Sequence, residues 1–277
     1  MTQKNQSSRL RDQHKISKGV VGIFGTNAKS HDLSVSDISK VVLKSLKDEY
    51  PTLEFRYRTS LLKSEINKKL NDIDSYLGQT LFLQNASIRP DGGLIEVKDD
   101  YDNWRVILVS EAKYQGKDID NIKKGLLVGS NNNQDLMAAG NAIERSHKNI
   151  SEIANFMILE YHFPYVIFLE GSNFLTQTIE VQRPDGRIVT LQYNSGTLNR
   201  LDRLSAANYG MPFNVNLCKN RFINLDEKSV MLQAASMYTN GDGSKWEPIA
   251  MGEVMLEIAR TSLQLLGKDI FKQITEK

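Results

Sequence analysis

Residues 90–113 read PDGGLIEVKDDYDNWRVILVSEAK, and this stretch decides the fold. Two runs rich in β-branched and large apolar side chains, 94–97 and 104–109, flank the turn-forming polar residues 99–103. The pattern predicts a β-hairpin. Because 106–109 is apolar without interruption, we expect its strand to be buried on both faces inside a larger sheet.

The predicted hairpin brings two carboxylates and a lysine together. A turn centred on Tyr101 places Asp91 directly across from Glu111. Side chains alternate faces along a strand, so Glu111 and Lys113 share one face. Directly opposed Cβ atoms lie about 5 Å apart, which lets two carboxylates share one divalent ion.

Two similar patterns are predicted to lie elsewhere. Glu96 and Lys98 repeat the Glu-x-Lys spacing, but they differ in parity from Asp91 and should point to the other face of the sheet. Pro184-Asp185-Gly186 has no Glu-x-Lys within reach downstream. It is typical of the tight turn of a second hairpin, which we expect over 179–191.

The residue types of the first site predict a magnesium-dependent nuclease. Asp91 and Glu111 offer hard oxygen ligands, and Mg²⁺ takes one or two carboxylates with water and phosphate oxygens. Lys113 would hold the attacking water or neutralise charge that develops on the phosphate. Two structural interpretations stay open: 91–93 is good turn chemistry in any protein, and Glu111 with Lys113 could form a cross-strand ion pair.

Composition bounds the class of protein. The chain has 277 residues, 40% of them hydrophobic, and a net charge of only +2. Cys218 is the single cysteine, and the four histidines lack metal-ligand spacing. No apolar run reaches about 18 residues and no signal sequence is visible, so we expect a cytoplasmic protein without a membrane segment. Residues 1–18 are basic and predict a flexible arm that contacts phosphates or is simply solvated, ahead of a single domain over 19–277.

The remaining chain alternates between predicted helices and strands, which indicates an α/β domain with a central mixed sheet. Predicted helices cover 34–50, 61–73, 144–159 and 251–265; predicted strands cover 165–169 and 229–238, and 115–134 is rich in loops. The run 165–169 is continuously apolar, which predicts a central, parallel strand.

Longer blocks carry a resemblance to a known family. The most specific are EVKDD at 96–100, EAK at 111–113 and DLMAAGNAIERSHKN at 135–149. FLEGSNFL at 168–175 and LNRLDRL at 198–204 add to them. Over essentially its whole length the chain resembles the EcoRI family of type II restriction endonucleases.

The resemblance implies the PD-(D/E)XK nuclease fold, α/β with a mixed sheet flanked by helices and with arms that embrace DNA. It implies a bacterial homodimer that uses Mg²⁺ to cut double-stranded DNA at GAATTC between G and A, leaving 5′ overhangs. A cognate DNA methyltransferase would act on the same site without a stable complex. The implied catalytic residues are Asp91, Glu111 and Lys113, and the first two would bind the metal.

The resemblance also implies a set of DNA contacts. Residues 137–142 match an extended segment in the major groove, where Asn141 is placed to hydrogen-bond adenine. The full implied set is Met137, Ala138, Gly140, Asn141, Ala142, Glu144, Arg145, Lys148, Asn149, Arg200, Arg203, Arg89, Gln115 and Lys117. Tyr114 stands where the best-known member has histidine, which bears on cleavage fidelity, and Arg89 replaces a lysine.

Two other functions compete with a restriction enzyme. One is a sequence-specific DNA-binding protein of the same fold whose nuclease site is disabled, and the intact Asp91, Glu111 and Lys113 argue against it. The other is a repair or recombination nuclease that reads structure more than sequence. Discrete fragments from a linear substrate would exclude the second.

Overall fold

A five-stranded mixed sheet organises the protein. The computed structural model describes residues 34–79, 85–126, 142–160, 162–192, 221–225, 228–232 and 235–267. The helices are α1 (Val35–Glu49), α2 (Lys63–Ile73), α3 (Asp118–Lys123), α4 (Ala142–Phe156) and α5 (Pro248–Leu266), with a 3₁₀ turn at Ser172–Phe174. The strands are β1 (Phe55–Arg58), β2 (Leu61–Leu62), β3 (Ser87–Ile88), β4 (Leu94–Lys98), β5 (Trp104–Tyr114), β6 (Tyr165–Glu170), β7 (Ile179–Gln182), β8 (Ile188–Leu191), β9 (Arg221–Leu225), β10 (Lys228–Leu232) and β11 (Ser236–Thr239).

The strand order of the main sheet is β1-β4-β5-β6-β11. The pairs β1–β4 and β4–β5 are antiparallel, whereas β5–β6 and β6–β11 are parallel. Among the described residues three two-stranded sheets accompany it, formed by β2–β3, β7–β8 and β9–β10. The predicted α/β class with a mixed central sheet flanked by helices is therefore confirmed.

Helices cover both faces of this sheet because its strands alternate two sets of apolar side chains. One set, the α1/α5 cluster, is represented by Ile38, Val42, Ile95, Ile107, Leu108, Val254 and Ile258. The opposite set, the α2/α4 cluster, is represented by Ile66, Leu94, Val106, Val109, Ile150, Ile153 and Ile167. Each fully buried aliphatic side chain contributes about 1.5–3 kcal/mol, so the two clusters fix the sheet between its helices.

Helix α1 shows how the sequence sets an element. The Ser34 side chain accepts a hydrogen bond from the backbone N–H of Asp37, which caps the helix start and contributes about 1 kcal/mol. Ile38, Val42 and Leu46 recur at helical spacing and are almost fully buried. The helix ends at Glu49, one residue before Tyr50 and two before Pro51, close to its predicted end.

A β-bulge in the central hairpin changes the predicted register. Glu96 pairs with Val106, as predicted, but Ile95 pairs with Leu108, so Ile107 is an extra residue in β5. Ile107 and Leu108 consequently both join the α1/α5 cluster.

The bulge changes which residues share a face beyond it. Val106 and Val109 lie in the α2/α4 cluster although their numbers differ in parity. Glu96, which pairs with Val106, therefore lies on the same face as Glu111. The prediction that Glu96 and Lys98 point to the opposite face is wrong.

The other predicted elements agree with the structure, with three exceptions. Strand β6, the 179–191 hairpin and α5 are confirmed, and α4 begins two residues before and ends three residues before its predicted bounds. Residues 61–62 form a short strand and not the start of a helix, and the loop-rich stretch after Gln115 contains α3. The predicted strand 229–238 is two strands in different sheets, because β10 pairs with β9 and β11 with β6.

In the described part of the chain no helix combines the length and apolarity needed to span a membrane. Residues 1–18, predicted to be a basic arm, lie outside the described residues.

Candidate active site

Asp91 is held by a tight turn at the start of the central hairpin, and not by β4 itself, which begins at Leu94. The N–H of Gly93 donates to the carbonyl of Pro90 at 3.0 Å, and the N–H of Gly92 donates to the carbonyl of Ser110 at 2.9 Å. Gly92 leaves no room for a side chain, because a Cβ there would lie 2.1 Å from Ser110 Oγ. The turn therefore fastens Asp91 beside the end of β5.

Glu111 and Lys113 project from β5 on one face of the sheet. Glu111 pairs with Ile167 and Lys113 with Leu169 on the parallel neighbour β6, and both partners belong to the α2/α4 cluster. The Lys113 ammonium lies 2.7 Å from Asp91 Oδ2 and 2.5 Å from Glu111 Oε1. The structure brings the three predicted catalytic residues together, although Asp91 arrives from a turn instead of a paired strand position.

Burial and the neighbouring charges act in opposite directions on the pKa of Glu111 and on that of Lys113. The Glu111 side chain is 1% exposed, and this burial raises the pKa of its carboxyl despite the nearby Lys113 and the Tyr165 hydroxyl. Burial alone would lower the pKa of Lys113, but Glu111 and Asp91 outweigh it and raise that pKa. Lys113 is thus a charged ammonium placed between two acids.

Tyr165 is a member of the site that the sequence did not predict. Its hydroxyl donates to Glu111 Oε2, and its ring is fully buried at the start of β6. The only sequence signal was a phenol in an otherwise apolar strand, since a buried tyrosine hydroxyl needs a partner.

Five of the residues implied as DNA contacts have described side chains. Arg89 is exposed two residues before Asp91, and Gln115 and exposed Lys117 follow the end of β5. Lys148 is exposed on α4, and Asn149 is half-buried next to it.

The other implied DNA contacts divide into two groups. Ala142, Glu144 and Arg145 lie in the first turn of α4. Met137, Ala138, Gly140, Asn141, Arg200 and Arg203 lie outside the described residues. Of the predicted base-reading segment 137–142, Ala142 alone therefore lies among the described residues.

The donor set suits a hard divalent ion that keeps much of its water. No group of three or more His, Cys, Asp or Glu side chains surrounds a common point among the residues with described positions. Mg²⁺ does not need such a cage, since one or two carboxylates with water and phosphate oxygens complete its shell. Asp91 and Glu111 already converge on a single cation, the Lys113 ammonium, so their oxygens fit such an ion.

Glu96, the other Glu-x-Lys carboxylate, is occupied differently. It is fully buried, with Oε2 at 2.6 Å from Arg56 Nε and Oε1 at 3.7 Å from Arg58. Arg56 also stacks on Trp104, with its guanidinium 4.1 Å from the ring centroid. Two arginines of the edge strand β1 neutralise this carboxylate. Glu96 therefore links β4 to β1 and is not available to a metal ion.

Comparisons with known proteins place the chain in a family. The family described as "Restriction endonuclease EcoRI" matches residues 17–273. The chain is 65% identical over 277 residues to the type II restriction enzyme EcoRI of Escherichia coli, with 100% of both chains covered. It is 48% identical over 267 residues to the type II restriction enzyme RsrI of Cereibacter sphaeroides, with 96% of each chain covered. The chain belongs to the EcoRI family of type II restriction endonucleases.

Proposed function

We propose that this enzyme cuts double-stranded DNA at GAATTC between G and A in a reaction that requires Mg²⁺. The carrying observation is the meeting of Asp91, Glu111 and Lys113 at one end of the central hairpin. Identity of 65% to EcoRI over the full length supports the same class of target. A disabled nuclease would not need two acids and a lysine in contact, and this argues against a pure DNA-binding role.

Each residue of the cluster has a separate task in this proposal. Asp91 and Glu111 would hold Mg²⁺, which when bound polarises the scissile phosphate and lowers the pKa of a coordinated water. Lys113 is a charged donor whose ammonium would orient the attacking water or neutralise charge that develops on the phosphate. Glu111 is buried, whereas the Asp91 side chain is 44% exposed to solvent.

Recognition and assembly belong to the same proposal. The extended segment 137–142 would read bases in the major groove, and Glu144, Arg145, Arg200 and Arg203 would approach the bases or order the site. The remaining proposed DNA contacts, to the backbone, are Arg89, Gln115, Lys117, Lys148 and Asn149. Because the target is a palindrome, two copies related by a two-fold axis would place one active site on each strand.

The proposed organisation has a basic arm at 1–18 that contacts phosphates and one catalytic and recognition domain at 19–277. A methyltransferase that modifies the same sequence would protect the host chromosome. Removal of residues 1–18 is expected to weaken binding to any DNA and to reduce its salt dependence, because fewer phosphates are neutralised.

Digestion of a sequenced plasmid with Mg²⁺, followed by end mapping, tests the function. We expect ends only at GAATTC, with 5′ overhangs, and no cleavage when the metal is chelated. Glu111→Gln should abolish cleavage while specific binding to a GAATTC duplex survives. Glu257→Gln, an exposed change of the same kind on α5, is the matched control and should cut normally. Full cutting by Glu111→Gln, or ends at another sequence, would contradict the proposal.

A further inference from the structure

The buried Glu111 carboxylate has two different partners, one for each oxygen. Oε1 contacts the Lys113 ammonium, and Oε2 accepts a hydrogen bond from the Tyr165 hydroxyl. A carboxylate held at both oxygens cannot rotate freely about its last side-chain bond. These two partners therefore set the orientation of the Glu111 carboxylate.

The Tyr165 ring is itself rigidly placed. It stacks on Phe163 with ring centroids 5.8 Å apart and is fully buried within the α2/α4 cluster. In the β5–β6 ladder Tyr165 pairs with Val109, and the next position on the same face pairs Ile167 with Glu111. Backbone pairing and ring packing thus fix the position of the Tyr165 hydroxyl. The hydrogen bond from this hydroxyl then sets the orientation of the Glu111 carboxylate.

We propose that Tyr165 is a positioning residue that orients the Glu111 carboxylate for the metal ion. The inference rests on the proposed function, because it requires Glu111 to be a metal ligand. Groups that hydrogen-bond a metal ligand typically change metal affinity by 10–100-fold when they are removed. Tyr165→Phe removes only the hydroxyl and keeps the ring packing, so it isolates this effect.

A purely structural role for Tyr165 makes a different prediction. The hydroxyl would then only donate a hydrogen bond to a buried carboxylate. Its loss would lower the free energy of unfolding without changing the metal affinity of the folded protein. Tyr238→Phe is the matched control, because Tyr238 is also almost fully buried in the main sheet but belongs to the opposite α1/α5 cluster. It reports the cost of losing a buried phenol hydroxyl away from the site.

The experiment measures Mn²⁺ binding by electron paramagnetic resonance on the full chain. The protein is bound to a GAATTC duplex in which a methylene replaces the bridging oxygen at the cut position, so that no cleavage occurs. We expect Tyr165→Phe to raise the Mn²⁺ dissociation constant by about 10–100-fold, with Tyr238→Phe unchanged. Binding of the duplex without metal should be the same for Tyr165→Phe and the parent protein.

Two further variants make each outcome decisive. An unchanged Mn²⁺ affinity in folded Tyr165→Phe, with affinity lost in Glu111→Gln, would overturn the inference and leave the proposed site standing. An unchanged affinity in Glu111→Gln would overturn the proposed site and this inference with it. Where Tyr165→Phe does not fold, Phe163→Leu decides, because it loosens the packing that holds the Tyr165 ring: weaker Mn²⁺ binding supports the positioning role, and unchanged binding refutes it.

Discussion

Lys113→Met is expected to destabilise the metal-free protein and to make Mg²⁺ a stronger stabiliser of the fold. In the parent protein the ammonium lies 2.7 Å from Asp91 and 2.5 Å from Glu111, with its side chain 19% exposed. Methionine keeps most of the apolar stem and removes the charge. Glu111 then keeps only the Tyr165 hydroxyl as a hydrogen-bond partner within the described site.

The expected loss follows from the burial of the two carboxylates. Breaking a fully buried ion pair costs about 3–5 kcal/mol. Here the Asp91 side chain is 44% exposed and screened by water, so only the Glu111 half carries the full penalty. The free energy of unfolding should therefore fall by roughly 2–3 kcal/mol near pH 8, which corresponds to about 5–10 °C in Tm.

The pH dependence of this loss has a definite sign. Burial already raises the pKa of Glu111, and removal of Lys113 would raise it further. A carboxyl whose folded pKa lies above its unfolded value destabilises the fold progressively as the pH rises through that interval. The difference between Lys113→Met and the parent should consequently shrink as the pH falls and Glu111 takes up a proton.

Chemical unfolding at fixed protein concentration, with either Mg²⁺ or a chelator, measures both effects. Mg²⁺ should stabilise Lys113→Met more than the parent, because it no longer competes with the ammonium for the same oxygens. Lys98→Met is the matched control, since Lys98 pairs with the exposed Asp102 and Glu54 and its loss should change little. Equal stability of Lys113→Met and the parent in chelator would refute the reasoning.

Three further predictions concern the same hairpin. Cleavage should decline as the pH falls through the raised pKa of Glu111, and more Mg²⁺ should move that decline to lower pH; an unchanged midpoint in the pH–rate profile would contradict this. Gly92→Ala should cost about 1–3 kcal/mol in chemical unfolding and reduce cleavage, because the new Cβ meets Ser110 Oγ, and adding Ser110→Ala should restore part of both; no recovery would count against the clash. Glu96→Gln should lower the thermal stability because it weakens the pairing of Arg56 with a buried carboxylate, yet cleavage by the folded protein should persist at low temperature; loss of cleavage there would give Glu96 a role in the site.

The sequence correctly predicts those elements in which all the local signals indicate the same structure. Helix α1 has a capping serine, a helical apolar stripe and a proline just past its end, and these signals agree with one another. Strand β6 is apolar over 165–169, which only a central strand tolerates. The sequence also predicts that Asp91, Glu111 and Lys113 lie close together, and the structure brings the three side chains into contact.

The bulge at Ile107 shows why register could not be predicted. Residues 106–109 are all large and apolar, so either face of the sheet can accept any of them. Their pattern therefore does not indicate which side chains point to which face. Packing of Ile107 and Leu108 against the same cluster selects the bulge, and this selection depends on helices far away in the chain. A similar limit explains why 229–238 was predicted as one strand, since its apolar run does not reveal that β10 and β11 pair with different partners.

The position of Lys113 explains how a buried acid can remain available for a metal ion. Burial alone favours the protonated form of Glu111, and a protonated carboxyl is a poor ligand. The ammonium opposes that preference and also separates Glu111 from Asp91, whose charges would otherwise repel across the site. In the proposed reaction Asp91 and Glu111 would hold the ion, whose charge would replace that of the ammonium, and Lys113 would then be able to face the phosphate. Because the ion and the ammonium would share the same oxygens, we expect metal binding to be coupled to release of Lys113 from the two acids.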